Sequence, residues 1–339
     1  MRKKRLQVLL FAVVFPIIAI LCCGIFPTQS ASAAQLSRAE CVVEVSSRRI
    51  LHASHAELPL PNASTTKILT AILILDDCDL QETVEIPAQA AGTEGSSIYL
   101  RAGERYTVEE LLYGLMLRSG NDAAVALALH HSVSVEAFAQ KMNEKAALLG
   151  ATDSQFVNPH GLPDRRHHTT ARDLALIAAY AMENDTFRTI VSAKYYAPRG
   201  WYNKNKMLSS YEGANGVKTG FTTEAGRCLV TSAKRDGMTV VCAVLNSPQM
   251  YERTTELLDD AFSGYSMTDL TDLTLLPRSV GVRELFRYPL RSEERSQIRT
   301  ELQLAEPLPA KKGAIAGCVG IFLANHLIFS QNLYIMEER

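Results

Sequence analysis

The order of apolar patterns along the chain predicts an α+β protein, an α/β sandwich whose single antiparallel sheet draws strands from both ends of one domain. Three observations carry this: a strand, turn and strand from Cys41 to Leu51, a helical middle from Ser64 to Met182, and strands between Gly216 and Leu245 that close on a helix. Beyond Tyr265 the text breaks into short alternating pieces, which adds a small β-rich region at the C-terminal side.

Residues 1–34 read as an export leader: Arg2-Lys3-Lys4-Arg5 precedes an apolar run from Leu6 to Phe26, and Ala31, Ala33 and Ala34 supply the small residues of a cleavage site. Cleavage after Ala33 or Ala34 is expected, with Pro16 favouring it; uncut, a run of about 20 residues is long enough to hold the chain in a membrane. Leu21 precedes Cys22-Cys23 where a lipidated cysteine wants a small residue, so lipidation is not expected.

After the first hairpin, which turns at Ser46-Ser47-Arg48-Arg49, Pro59 to Ala63 lead into a helix beginning near Ser64. Ile68 to Leu75 are apolar on every face, so that helix is buried. Further helices are signalled over Val108 to Leu117, Asp122 to His131, Ser134 to Leu149 with Gly150 as the stop, and Ala171 to Met182 behind a Thr170-x-x-Asp173 capping box. Strands follow at Gly216 to Thr219, Cys228 to Ala233 and Met238 to Leu245, then a helix from about Glu252 to Phe262. The last region offers Asp269 to Leu275, Val280 to Val282, Arg299 to Leu304 and the β-rich stretch Ala314 to Met336. Gly320, Asn325, His326 and Asn332 interrupt that stretch too often for a membrane span. The expected division is a leader over 1–34, a main domain over 35–267 and a small β domain over 268–339.

Composition narrows the function. Lys plus Arg number 35 against 36 Asp plus Glu, and taking the leader's four positive charges from a total of −1 leaves −5. A modestly acidic chain excludes a dominant polyanion-binding role, so nucleic acid is not an expected partner. With 47% apolar and 21% charged residues there is material for a sizeable core. Beyond the leader, Cys41, Cys78, Cys228, Cys242 and Cys318 are too sparse and too odd in number for a disulfide framework. Cys228 and Cys242 flank a hairpin turn at Lys234-Arg235-Asp236-Gly237, but a two- or four-residue loop pairs positions whose numbers sum to an odd value. Their side chains should therefore point to opposite faces.

Three short motifs carry chemistry. Ser64-Thr65-Thr66-Lys67 puts a hydroxyl and an amine one turn apart on a helix face. Serine becomes a nucleophile when a base takes its proton, and lysine can be that base if burial or a second cation lowers its pKa. The start of a helix also offers free N–H groups to developing negative charge. Ser119-Gly120-Asn121 lies between two helices, and Lys218-Thr219-Gly220 on a strand ending in glycine. Each motif is common alone; the set, in this order, spacing and structural context, is specific.

The set resembles the penicillin-recognising serine enzymes, and the chain is similar to the low-molecular-mass, penicillin-binding protein 5 type of D-alanyl-D-alanine carboxypeptidase. Gly92 to Leu129, Phe156 to Leu162 (FVNPHGL) and Gly216 to Ser232 extend the likeness, which covers about Cys41 to Phe262 and continues faintly into the β domain. The resemblance implies a β-lactamase/transpeptidase-like fold with a helical subdomain, a small all-β C-terminal domain, and action on peptidoglycan stem peptides ending in D-Ala-D-Ala. It implies Ser64 as nucleophile, Lys67 as its base and Ser119 as proton relay. Asn121, Lys218, Thr219, Gly220 and Phe221 would bind substrate, with the amides of Ser64 and Phe221 forming an oxyanion hole. It implies β-lactam antibiotics as covalent inhibitors, an extracytoplasmic location, and no metal ion or organic cofactor.

Two departures stand out. Relatives usually carry an arginine between the last sheet strand and the final helix to hold the substrate carboxylate; here that stretch is Ser247-Pro248-Gln249-Met250-Tyr251, with Arg253 about a turn away. Many also end in an amphipathic membrane-surface helix, and with Glu337-Glu338-Arg339 in last place tight C-terminal anchoring is not expected. Three rival readings are a serine β-lactamase, a metallopeptidase and a non-catalytic wall protein. The first lacks a Glu-x-x-x-Asn element between Asn121 and Lys218, Glu144 and Glu183 reading as solvated. His130-His131 and His167-His168 point apart as neighbours do and no His-Glu-x-x-His occurs. The intact motif residues argue against the third.

Overall fold

The computed structural model describes residues 37–337 apart from 272, 273 and 275. The expected leader, and those three positions of the piece expected over Asp269 to Leu275, lie outside the described residues. In chain order the main domain's strands are β1 (Ala39–Glu44), β2 (Ile50–Ser54), β3 (Thr83–Glu85), β4 (Arg105–Thr107), β5 (Tyr195–Tyr196), β6 (Trp201–Tyr202), β7 (Ala214–Thr222), β8 (Gly226–Arg235) and β9 (Met238–Leu245). Five of them form one antiparallel sheet in the order β2-β1-β9-β8-β7, so the first hairpin closes against the last strands as the pattern predicted. β7, which carries Lys218-Thr219-Gly220, is left at an edge.

Side chains alternate faces along each strand, and the core divides accordingly. Val43, Val230 and Val241 face the layer that contains the Lys67–Asp77, Asn121–His131 and Ala171–Ala181 helices. Val42, Leu229 and Val240 face the Met250–Gly264 helix on the other side. Arg235 pairs with Met238 and Thr231 with Cys242, so Cys228 falls in the first core and Cys242 in the second, as the hairpin parity required.

Some helical details differ from the expectations, among them a short Met207–Ser210 helix that was not expected. The Val108–Tyr113 helix, opened by a Thr107–Glu110 capping box, does not run on as an α-helix to Leu117 but widens into a π turn over Gly114–Arg118. Such turns concentrate at functional sites. The Asp185–Ser192 helix was not expected; it is short and polar outside, capped by Asn184 accepting from the Phe187 amide and anchored by Phe187, Ile190 and Val191.

The C-terminal strands are β10 (Ser266–Asp269), β11 (Val280–Gly281), β12 (Arg287–Leu290), β13 (Ile298–Leu304), β14 (Ile315–Leu323) and β15 (His326–Ile335). They form a four-stranded sheet, β11-β15-β14-β13, and a β10-β12 ribbon, over a core of their own that includes Ala316, Ile321, Leu333 and Ile335. Pairing in this region starts at Ser266, two residues before the boundary read from composition. Arg49, in the β1–β2 turn, donates to the Pro289 carbonyl and lies 5.1 Å from both the Tyr265 and Tyr288 ring centroids. No helix among the described residues is long and apolar enough to cross a membrane.

Candidate active site

The Ser64 motif folds as one 3₁₀ turn, Ala63–Thr66, running straight into the Lys67–Asp77 helix. Ala63 enters that turn with φ +48°, an unusual conformation for a residue with a side chain. Ser64 remains half-buried and reachable, while Lys67 is fully buried. The Lys67 ammonium donates to Ser64 Oγ at 2.8 Å, to Asn121 Oδ1 at 2.7 Å and to the His160 carbonyl at 2.8 Å. All three acceptors are neutral. They fix where the amine sits without supplying the negative charge that would keep it protonated.

Asn121 is held for this contact. Its Nδ2 donates to the Glu94 carbonyl at 2.6 Å, and a Cβ on Gly95 would lie 2.7 Å from that nitrogen, so glycine is needed there. Next along, the buried Asp122 carboxylate accepts from the amides of Ile98 and Leu100 and from the Ser97 hydroxyl, fastening the 94–100 loop to the start of the Asn121–His131 helix. Ser119 ends the π turn with φ +66° and is 5% exposed. It is carried into the cleft two residues ahead of Asn121 but makes no hydrogen bond to Ser64, Lys67 or Lys218 in this structure.

β7 closes the other side. A Cβ on Gly220 would lie 3.0 Å from the Asn62 carbonyl oxygen and 3.1 Å from the Ser64 nitrogen, so glycine lets the strand edge press against the Ser64 turn. This brings the Ser64 amide beside the β7 edge next to Phe221. Lys218 is 2% exposed and donates to the Thr219 carbonyl at 2.9 Å; Thr219 is half-buried, and Phe221, 65% exposed, stands at the rim.

Burial and like charge set the electrostatics. The Lys67 amine is held well below the ordinary lysine range, first by desolvation, then by the positive charges of Lys218 and Lys204. Lys218 is pulled down to about 7 by burial and by Lys204. Depressed lysines facing an accessible serine are the combination that lets an amine act as a base near neutral pH.

Several contributors have no side-chain signature in the sequence. The FVNPHGL segment is a loop that offers its backbone: the Pro159 carbonyl accepts from Thr70 Oγ1 at 2.6 Å, and the His160 carbonyl from Lys67. Gly161 is compelled, since a Cβ there would fall 1.8 Å from the Ala63 carbonyl oxygen and its φ is +84°. The Asn-Pro and His-Gly dipeptides signal a turn, not its target. His167 is buried and His160 half-buried, and desolvation lowers them to about 4 and about 3, which leaves them neutral; Thr66 Oγ1 meets His167 Nε2 at 2.8 Å. Lys204 was also missed; its amide donates to the Leu117 carbonyl at 3.2 Å and its amine to Ser96 Oγ at 3.3 Å. Arg253, given no role from sequence, is committed elsewhere: its Nε and NH2 bind the two oxygens of buried Glu40 at 2.8 and 2.9 Å. Among the described residues no group of three or more His, Cys, Asp or Glu could hold a metal ion.

A buried neutral-acceptor lysine against a serine at a helix start, with a lysine-bearing edge strand opposite, defines a serine acyl-transfer site. Residues 27–249 match the model of the D-alanyl-D-alanine carboxypeptidase peptidase family, and the chain belongs to that family. It is 35% identical over 243 residues to the D-alanyl-D-alanine carboxypeptidase DacF of Bacillus subtilis, covering 66% of this chain and 61% of that protein. A D-alanyl-D-alanine carboxypeptidase of Streptomyces sp. strain K15 is 38% identical over 227 residues, 60% of this chain and 78% of that one. Among solved structures, penicillin-binding protein 5 of Haemophilus influenzae superposes with a TM-score of 0.74 at 25% identity, over 93% of this chain and 99% of that chain.

Proposed function

We propose that this chain removes the terminal D-alanine from peptidoglycan stem peptides. Ser64 Oγ attacks the carbonyl carbon between the last two D-alanines while neutral Lys67 takes its proton. The C–N bond breaks as Ser119 passes a proton to the departing amine, free D-alanine leaves, and water then attacks the ester on Ser64 and regenerates the hydroxyl. Asn121, Lys218 and Thr219 hold the substrate, whose backbone adds as a strand along the β7 edge beside Gly220 and Phe221. The amides of Ser64 and Phe221 receive the oxyanion, each donor being worth about 3 to 4 kcal/mol. β-Lactams enter as substrates that stay on Ser64.

The observation that carries this reading is the 2.8 Å contact from a fully buried Lys67, with no carboxylate touching its amine, to Ser64. The reading includes export: residues 1–34 are a leader, 35–267 the catalytic domain and 268–339 a small β domain held outside the cytoplasm, in contact with the membrane if the leader is retained. The decisive assay is release of D-alanine from an N-acyl-L-Lys-D-Ala-D-Ala peptide, with Ser64→Ala as control; no Ser64-dependent release sinks the proposal. Fluorescent penicillin should label wild type and not Ser64→Ala, and the label should persist; rapid loss would favour a β-lactamase. Mass measurement of the exported N-terminus reads the leader.

A further inference from the structure

The reaction ascribed to Ser64 needs a cation for the carboxylate that ends the substrate, because a carboxylate drawn into a cleft loses hydration that only donors restore. Lys218 alone is a weak anchor, since its amine is buried and sits near the midpoint of its titration at pH 7. Residues 247–251 hold no arginine, and Arg253 is bound to Glu40 and Glu256.

Arg227 is placed differently. In the β7–β8 register Arg227 lies opposite Phe221, and Leu229 opposite Thr219. Paired residues share a face and alternate residues return to it, so Thr219, Phe221, Leu229 and Arg227 project from the same side of the sheet. Arg227 is the diagonal neighbour of Thr219, a separation of about 7 to 8 Å that a long side chain spans. Its guanidinium lies 5.9 Å from the ring centroid of exposed Phe221. Its charge reaches Tyr251, whose phenol burial pushes up and Arg227 pulls back. Arg227 is exposed and makes no ion pair among the described residues. Its position is fixed: the Arg227 carbonyl accepts from the Ser247 amide at 2.8 Å, and Gly226 before it has φ +66°, where a Cβ would fall 2.3 Å from Asn246 Oδ1.

We propose that Arg227 supplies the guanidinium that holds the substrate's terminal carboxylate beside Thr219, replacing from β8 the arginine absent from 247–251. This rests on the carboxypeptidase reading. The test uses the full chain, its active sites counted by fluorescent penicillin, with the D-Ala-D-Ala peptide as substrate and the same peptide ending in a carboxamide as competitor. Arg227→Ala should raise KM for the free acid by roughly 10- to 100-fold, leave kcat nearly unchanged, and leave Ki for the carboxamide as in wild type. Arg227→Lys, which keeps the charge without the fork, should fall between. An unaltered KM overturns the assignment, as does a parallel rise in KM and Ki, because both constants come from one preparation. If wild type releases no D-alanine, the carboxypeptidase reading falls as well; if wild type is active and Arg227→Ala matches it, only the Arg227 assignment falls.

Discussion

At Glu40 a buried carboxylate is met on both oxygens by Arg253, at 2.8 and 2.9 Å, and by His52 Nε2 at 3.1 Å. At Lys67 and Lys218 two buried ammonium groups meet only neutral oxygens, and the charges nearest in effect are positive. Burial opposes charge in both places. At Glu40 burial raises the pKa, but the hydrogen bonds of Arg253, His52 and Ser37 outweigh it and carry the carboxyl down to about 2. At the lysines only a weaker pull from Asp122 on Lys67 works against desolvation, and the amines are pushed toward neutrality. The same physics yields a permanently charged tie in one place and a poised proton acceptor in the other. What decides is whether a counter-ion stands within reach.

The largest expected consequence of breaking the uncompensated site is kinetic. Lys67→Met keeps the buried volume and removes the proposed base, and should lower acylation by penicillin about 10³- to 10⁴-fold while leaving the protein folded. A rate within tenfold of wild type would mean that some other group takes the Ser64 proton.

The second consequence is thermodynamic. Between about pH 7 and 10.5 the folded chain holds Lys218 neutral while the unfolded chain holds it charged, so the unfolded state binds more protons and stability rises with pH. The penalty is full below about 7. Lys218→Met should therefore stabilise the fold at pH 6, by at most about 5 kcal/mol at 1.36 kcal/mol per unit, and the gain should vanish toward pH 10.5. Denaturant titrations at both pH values read it, and a gain independent of pH would contradict the electrostatic origin.

The compensated site should respond with the opposite sign. Glu40→Gln strips the partner from Arg253 and His52 and should destabilise by about 3 kcal/mol at pH 7 with little change in acylation rate. Because the Glu40 pKa is lowered on folding, its contribution is present above the unfolded value of 4.5 and is lost as pH falls through about 2. The two proteins should accordingly converge in strong acid. A Glu40→Gln enzyme that loses acylation at full stability would make this pair part of the site.

These two places were not equally legible in the sequence. Ser64 and Lys67 were, because helix geometry alone brings residues three apart together; the Cys228 and Cys242 faces were, because strand parity is arithmetic. Glu40 and Arg253 are separated by 213 residues, and no periodicity links them. The His160 carbonyl escaped because any residue can offer a backbone oxygen. The π turn escaped because Gly114–Arg118 reads as ordinary apolar helix, and its tertiary setting has no local pattern: a Cβ on Gly114 would sit 2.6 Å from Ile98 Cδ1, on the loop that Asp122 fastens.

Lys204 gives the finest test of how like charge acts at the lysine site. Its charge lowers both Lys67 and Lys218, in each case behind desolvation. The proposed mechanism needs Lys67 without its proton and Lys218 with it, so kcat/KM should rise as the first deprotonates and fall as the second does, the apparent values belonging to the coupled pair. Lys204→Gln removes a repelling charge and should raise both pKa values. The whole bell should then move to higher pH by a fraction of a unit with its height nearly kept, in profiles taken over about pH 5 to 10. The 3.3 Å bond to Ser96 offers a structural alternative, in which the variant would loosen the 94–100 loop and lower the peak without moving it. Salt separates the two. A Coulombic shift reaching through partly solvated space shrinks as the Debye length falls from about 10 Å at 0.1 M to about 3 Å at 1 M, whereas a lost hydrogen bond is indifferent to it.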